Sequence, residues 1–435
     1  MSSPQHRSRP EGPAPAGFQT GFPIRPDRLV EARTPDDVRE AVAYAAERGL
    51  RVTAHATGHG LPGAVEGGVL VVTRALDSVT VDPVARTATM GAGTTWGAVA
   101  AAAAPHGLAP LNGSSPSVGA VSYTLGGGLG ILARQFGYAA DHVRALEAVT
   151  ADGVRRRVTP EREPELFWGL RGGGHRLGVV TALEIGLVAV ERLYGGSIAF
   201  GGERAAEVVA AYLEWTRTVP ETLTSSLAAL VLPDMPRLPE ELRGRYVVSV
   251  RVAFTGDAAE GERLVAPLRA IGPALSDSLR EMPYAESPTI HNDPPFPHAY
   301  YGDGLMVREL DAERAARVLE LTGPGAPMMT VVQLNHLGGA LAEPPEPANA
   351  VPHRDARYLL RVLSPLDGTD VGSVRSLYEE VAGVLGSRVL GRSLNFSFGG
   401  GDRTTGLHGP ETAKRLAGLV SQYDPAGLFG GPYEG

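Results

Sequence analysis

The sequence predicts an α+β protein of two domains. Three observations lead there. The 435 residues exceed what one ordinary core accommodates. Helix and strand signals alternate up to about residue 190, and longer strands and helices follow. From residue 386 the sequence turns glycine-rich and loop-like before a last helix. The boundaries drawn from this are a disordered tail over 1–20, a first region over 21–190, a second over 191–385 with an antiparallel sheet covered by helices, and a C-terminal segment over 386–435.

Local signals place the elements. Thr34 suits a helix N-cap, Pro35 the first helical position, and Asp36 and Asp37 the positive end of the dipole. Val38, Ala41, Val42 and Ala45 make an apolar stripe at helical spacing, and Gly49 stops it. Short strands are expected over 51–56 and 68–73. Hairpins are expected around Asp82-Pro83 and across Asp152-Gly153, and helices over 96–104 and 164–171. A strand should cover 178–190. In the second domain strands are expected at 198–200, 227–232, 246–254, 328–336 and 357–363. Helices are expected at 205–218, 258–271 and 371–385, and a final one at 410–423.

Composition limits the function. Hydrophobic residues make up 43% and charged residues 20%, as in an ordinary globular protein. The net charge of -8 argues against a nucleic-acid partner, which needs clustered positive charge. With no cysteine, thiolate metal sites, disulfides and thiol catalysis are excluded. No metal site is expected. No apolar run is long enough to span a membrane, and the first residues lack the apolar segment of a secretory signal. A cytoplasmic protein is the expectation.

Three segments carry chemistry. His55-Ala56-Thr57-Gly58-His59-Gly60 follows a strand. Its small residues let backbone approach a ligand closely, and His59 stands between two glycines with little local cover. Alone, it equally fits a tight turn with a surface histidine. The run from Asn112 through Gly113-Ser114-Ser115-Pro116-Ser117-Val118-Gly119 to Gly126-Gly127-Gly128-Leu129-Gly130 has more glycine than a connecting loop needs. It lacks the lysine of a phosphate-binding loop and the frame of a dinucleotide-binding βαβ unit. Glu165-Leu166-Phe167-Trp168 leads into Arg171-Gly172-Gly173-Gly174 and then into the strand containing Val180.

Taken together, these segments resemble the berberine-bridge-enzyme-like branch of the vanillyl-alcohol-oxidase flavoproteins. Gly338-Gly339, Pro352-His353-Arg354, Leu394-Asn395-Phe396 and Tyr423-Asp424-Pro425 resemble its C-terminal markers, so the likeness runs from about Gly21 to Phe429. The resemblance implies a PCMH-type FAD-binding domain in two pieces, begun in 21–190 and completed by 386–435, and an α+β substrate domain between them, with FAD at their interface. It implies a covalent bond from His59 to the flavin, with Ala56, Thr57, Gly58, Gly60, Gly113, Ser114, Ser115, Ser117, Val118, Gly119, Gly127, Gly130, Val180 and Asn395 around the cofactor. His55 is a less favoured attachment point. The implied activity is oxidation of a small organic molecule, in secondary metabolism, with return of electrons to molecular oxygen. In this family a valine at the position of Val118 accompanies oxidase behaviour. No oligomeric state follows.

Two departures matter. Ser115 stands where many members carry a cysteine bonded to the flavin, so a single covalent link is expected. Leu337 and Ser393 stand where members that oxidise alcohols place tyrosines, so the usual base is missing. Tyr301 and His336 are the expected substitutes, with Tyr300 and His298 nearby. His291 to Tyr301 reads as a substrate-side loop. The missing phenols also leave open a second reading, in which the flavin is retained while a cyclisation or isomerisation proceeds without net redox change.

Overall fold

A computed structural model describes residues 15–236, 240–399 and 405–430. The first helix, Pro35–Arg48, forms as its caps dictate. The Thr34 hydroxyl accepts from the Asp37 amide at 3.2 Å, the Asp37 carboxylate accepts from the Thr34 amide at 2.8 Å, and Gly49 closes the helix at φ 61°. Its apolar stripe packs on a three-stranded parallel sheet in the order Arg28–Glu31, Val69–Val72, Val52–His55. A five-stranded antiparallel sheet follows, in the order Val79–Asp82, Thr87–Gly91, Val179–Gly186, Val143–Val149, Arg155–Val158. Both expected hairpins are present.

The second domain is a nine-stranded antiparallel sheet. Its main path runs Ser276–Asp277, Arg192–Gly201, Tyr246–Phe254, Leu223–Val231, Val331–His336, Tyr358–Pro365, Tyr300–Val307, Val389–Arg392, and Arg280–Pro283 pairs with the second of these. Alternation along each strand gives the sheet two unlike faces. Val332, Leu334, Leu360, Val362, Val248 and Val250 pack with residues of the helices Ala205–Trp215, Ala258–Arg269, Ala312–Thr322 and Val371–Leu385. The opposite, inner face is turned toward the first domain.

Three expectations need correction. Residues 1–14 lie outside the described residues, but 15–20 are not a loose tail. Phe18 and Gln19 donate their amides to the carbonyls of Thr57 and Gly58, and Gln19 is buried with its side chain donating to the Tyr300 carbonyl. The segment ending at Tyr301 is a loop only to Ala299, because Tyr300 opens a strand. That strand is disguised by two glycines: a Cβ on Gly302 would enter the Phe398 ring, and one on Gly304 would come within 2.8 Å of Phe396 Cβ. Finally, Val389–Arg392 extends the second sheet, so the chain re-enters the first domain only after it. Leu419, Leu428 and Phe429 then pack into first-domain cores.

Candidate cofactor and substrate site

The strand Val52–His55 delivers the Ala56–Gly60 turn, in which Gly58 takes φ 73°. A Cβ there would lie 2.7 Å from both Gly17 Cα and His55 Nε2, so only glycine permits this close crossing of chains. The turn is fastened to the second glycine-rich loop. The Gly119 amide donates to Thr57 Oγ1 at 3.3 Å, and the Trp96 amide donates to the Val118 carbonyl at 3.0 Å. His59 lies at this junction. Its Nδ1 is 2.9 Å from Thr57 Oγ1, its Nε2 is 3.1 Å from Ser117 Oγ, and Ser117 Oγ is 3.0 Å from Ser115 Oγ. Phe18 stacks on the imidazole with centroids 4.0 Å apart and 12° between planes. Burial lowers the His59 pKa to about 4, with Asp293 opposing and His298 reinforcing, so the ring is neutral at pH 7.

The other expected cofactor residues gather less evenly. Gly113 abuts the Tyr123 ring, and Gly130 lies against the Leu111 and Asn112 carbonyls. Gly127 takes φ 105° beside Val351. Asn395 reaches back from the C-terminal segment, donates to the Tyr123 carbonyl at 2.9 Å and packs on Gly126, whose missing Cβ makes the room. Gly60 is exposed with open space around it. The Val180 side chain belongs to the first-domain core rather than to the loops. His55 is buried behind the turn with both ring nitrogens unpartnered, and burial, helped by Arg74, holds its pKa at about 4.

The expected catalytic pair is not at this junction. Tyr301 faces the helices: its ring meets Tyr378 edge-on at 5.7 Å, and Arg375 Nε donates to its hydroxyl at 3.3 Å. His336 is paired in register with Tyr358, which sits in the helix-side core, and their rings are 5.9 Å apart. Both assignments fail for one reason: successive strand residues point to opposite faces. The neighbour Tyr300 has the useful side. Its hydroxyl donates to the His59 carbonyl at 2.6 Å, and its ring lies 4.8 Å from His298 and 5.2 Å from Phe398. Burial raises the Tyr300 pKa well above the phenol range, with Arg361 opposing. Leu337 does lie on the inner face, in an apolar patch with Tyr138, Met306 and Leu359.

Sequence reasoning missed the polar part of the inner face. Arg251, Ser226 and Asn335 form one cross-strand row, and Gln333 and Arg361 the next. Arg251 Nη1 donates to Gln333 Oε1 at 3.2 Å, and Gln333 Nε2 to Asn335 Oδ1 at 3.1 Å. Arg361 lies over the Phe396 ring at 3.9 Å. From the loop after Ile290, Asp293 accepts from the Ser114 hydroxyl. Enclosure pushes the Asp293 carboxyl up, but the Ser114 hydroxyl and the two arginines bring it below its ordinary value. Enclosure and the same arginines hold His291 down, so its imidazole is neutral. Enclosure also lowers both guanidinium groups, Arg361 to about 10. Arg251, His291 and Arg361 are partly buried and Asp293 is exposed, so the four line a hollow between the loops and the sheet that solvent reaches. A hollow edged by side-chain-free backbone on one side and a polar sheet on the other fits a large flat cofactor with a small substrate beside it. Among the described residues no group of three or more side chains is placed to hold a metal ion, and no helix is long and apolar enough to cross a membrane.

Comparison with known proteins agrees with this geometry. Residues 26–159 match the family model of an FAD binding domain. The chain is 28% identical to (R)-6-hydroxynicotine oxidase of Paenarthrobacter nicotinovorans, over 93% of this chain and 90% of that one. It superposes on xylooligosaccharide oxidase of Myceliophthora thermophila with a TM-score of 0.83 at 21% identity, covering 96% and 93% of the two chains. Glucooligosaccharide oxidase of Acremonium strictum, described with 6-S-cysteinyl, 8α-N1-histidyl FAD, gives 0.81 at 19% identity, covering 96% and 93%. Nothing in these relatives supports the cyclisation reading. A matched FAD-binding domain, a fold shared with flavin oxidases and FAD-linked oxidoreductases aligned along nearly the whole chain make this chain an FAD-dependent oxidoreductase, similar to the berberine-bridge-enzyme-like flavoproteins.

Proposed function

We propose that the chain is an oxidase that holds FAD covalently through His59 and oxidises a small polar molecule on the inner face of the second sheet, in secondary metabolism and in the cytoplasm. The observation that carries the attachment is the placement of His59. It is the neutral imidazole at the junction of two glycine loops, with a hydroxyl from each loop at a ring nitrogen. A neutral ring nitrogen has the lone pair that bond formation needs. Ser115 replaces the cysteine of doubly linked relatives, so one bond is the expected number.

FAD in this hollow supplies a two-electron acceptor for the hydride leaving substrate carbon, with molecular oxygen as the final oxidant. Everything else falls to the chain. Thr57 and Ser117 orient the His59 ring, and Phe18 covers it. Tyr300 fixes the backbone of the same turn and presents the phenol nearest the reacting region, in place of Tyr301. Gln333 and Asn335 offer amide groups to a substrate hydroxyl or amine. Val118 is partly buried against the first-domain core, on the loop beside His59, and supports the oxygen assignment.

Acid precipitation tests the attachment. FAD should stay with the precipitated wild-type chain, whereas His59→Ala should release it and still bind FAD reversibly through the loops. Quantitative release of FAD from the wild type would overturn the proposal.

A further inference from the structure

We propose that Arg251 and Arg361 form a carboxylate-binding site, so that the molecule oxidised here is a small organic acid in its anionic form. The proposal rests on the oxidase reading of the same hollow and names its substrate class.

Charge in the hollow is unbalanced. Two guanidinium groups face one carboxylate, Asp293, while His291 is neutral. One positive charge is therefore left over where the loops meet the sheet. Among the described residues, neither arginine has a carboxylate within ion-pairing distance. Arg251 gives one N–H to Gln333, and Arg361 has only the Phe396 ring face beneath it. A partly buried guanidinium loses hydration that an anion or a set of acceptors must replace. Arg134 and Arg171, buried elsewhere, show the usual compensation, since each donates to several backbone carbonyls. Arg251 and Arg361 lack that arrangement, and strand register puts both on the inner face of the sheet.

A second set of atoms agrees. Ser226 is 3% exposed, and its hydroxyl has no partner. Register places it between Arg251 and Asn335 on the inner face. His291 Nδ1 is likewise buried and unpartnered. A carboxylate has about four lone-pair directions and can accept one hydrogen bond from each guanidinium and one from a hydroxyl at once. A neutral sugar or amine would leave the extra charge unmatched. The Phe396 ring adds an apolar wall for the carbon frame of the acid.

The test compares acids with their isosteric amides on the intact, flavin-containing protein. Calorimetric titrations use benzoate and acetate against benzamide and acetamide, with the visible flavin spectrum recorded in parallel. The acids should bind at least about tenfold more tightly than the amides, as expected for one charge-assisted contact, and added chloride should weaken only the acids. Arg361→Gln and Arg251→Gln should each abolish the preference, whereas Arg361→Lys should keep part of it. Equal affinity for acid and amide, or absence of heat from both acids, would overturn the proposal, as would an unchanged preference in Arg361→Gln. Should a variant fail to fold, the wild-type comparison still decides. Loss of FAD on acid precipitation would count against His59 attachment while leaving the acid preference readable by heat alone.

Discussion

One step along the strand Tyr300–Val307 carries a phenol from the cofactor loops to the helix layer. Tyr301→Phe should change the rate of anaerobic flavin reduction by no more than about twofold. It removes the hydroxyl that accepts from Arg375 on the helix side of the sheet, a hydrogen bond worth about 0.5–1.5 kcal/mol. Tyr300→Phe should slow reduction by about 100-fold, the lower end of what a positioned proton-transfer group contributes. Stopped-flow absorbance distinguishes them, and comparable rates for the two variants would remove Tyr300 from the reaction. Histidines make a second residue-scale prediction. His55 and His336 are held at about 4 and about 3, mainly by burial. Their folded-state values lie below the unfolded value near 6.5, so the unfolded chain binds more protons between those limits. Stability should therefore fall as pH drops through 6.5 and level off only below the folded-state values. Each histidine contributes on the order of 1–3 kcal/mol to that loss. His336→Leu should flatten the dependence of melting temperature on pH between 4 and 6.5, and an unchanged slope would contradict the assignment.

Elements with local causes were legible. The Thr34 cap, the Gly49 stop and the turn at Asp152-Gly153 are each written within a few adjacent residues, and helix Val371–Leu385 shows its own apolar period. Tyr300–Val307 was not legible, because its glycines answer to Phe396 and Phe398, almost a hundred residues away. The same holds for the site. His59 and the glycine loops are contiguous motifs. Arg251, Ser226 and Asn335 come from three strands, and only register puts them in one row. Tyr301 and His336 were misplaced because composition indicates a phenol or imidazole near the sheet but not the phase of the strand. Helix Ala312–Thr322 was also passed over, although Asp311 caps it at the Arg314 amide and its buried face is apolar. At this scale the Gly58 turn can be tested directly. Gly58→Ala imposes φ 73° on an L-residue and drives a methyl to 2.7 Å from the Gly17 backbone, at a cost of roughly 1–3 kcal/mol. It should lower both the melting temperature and the flavin-to-protein absorbance ratio. A variant with wild-type flavin content would show that the close crossing is not required for the cofactor.

At the scale of the molecule, two arginines fasten the domains together. Arg134 donates to the carbonyls of Leu337, Leu223 and Pro220, and its amide donates to Thr224 Oγ1. Arg171 donates to the carbonyls of Pro347 and Ala348, while the Ala350 amide returns a bond to the Arg171 carbonyl at 2.9 Å. Arg134→Met keeps the aliphatic stem and strands three carbonyls, so it should cost about 3–5 kcal/mol. Calorimetry of the wild type should show one transition, and the variant should split it as the second sheet loses its hold. A single transition in the variant would mean that the clamp is redundant. These fasteners also decide how reactants travel. A pair of domains riveted at two places resists swinging open like a hinge. A doorway is expected beside the stretch from His291 to Ala299, whose one regular pairing is the bridge at His298 and which is stiffened by Pro294, Pro295 and Pro297. Such a fixed doorway limits the reaction by bore rather than by motion: the largest molecule oxidised is the largest that fits through it.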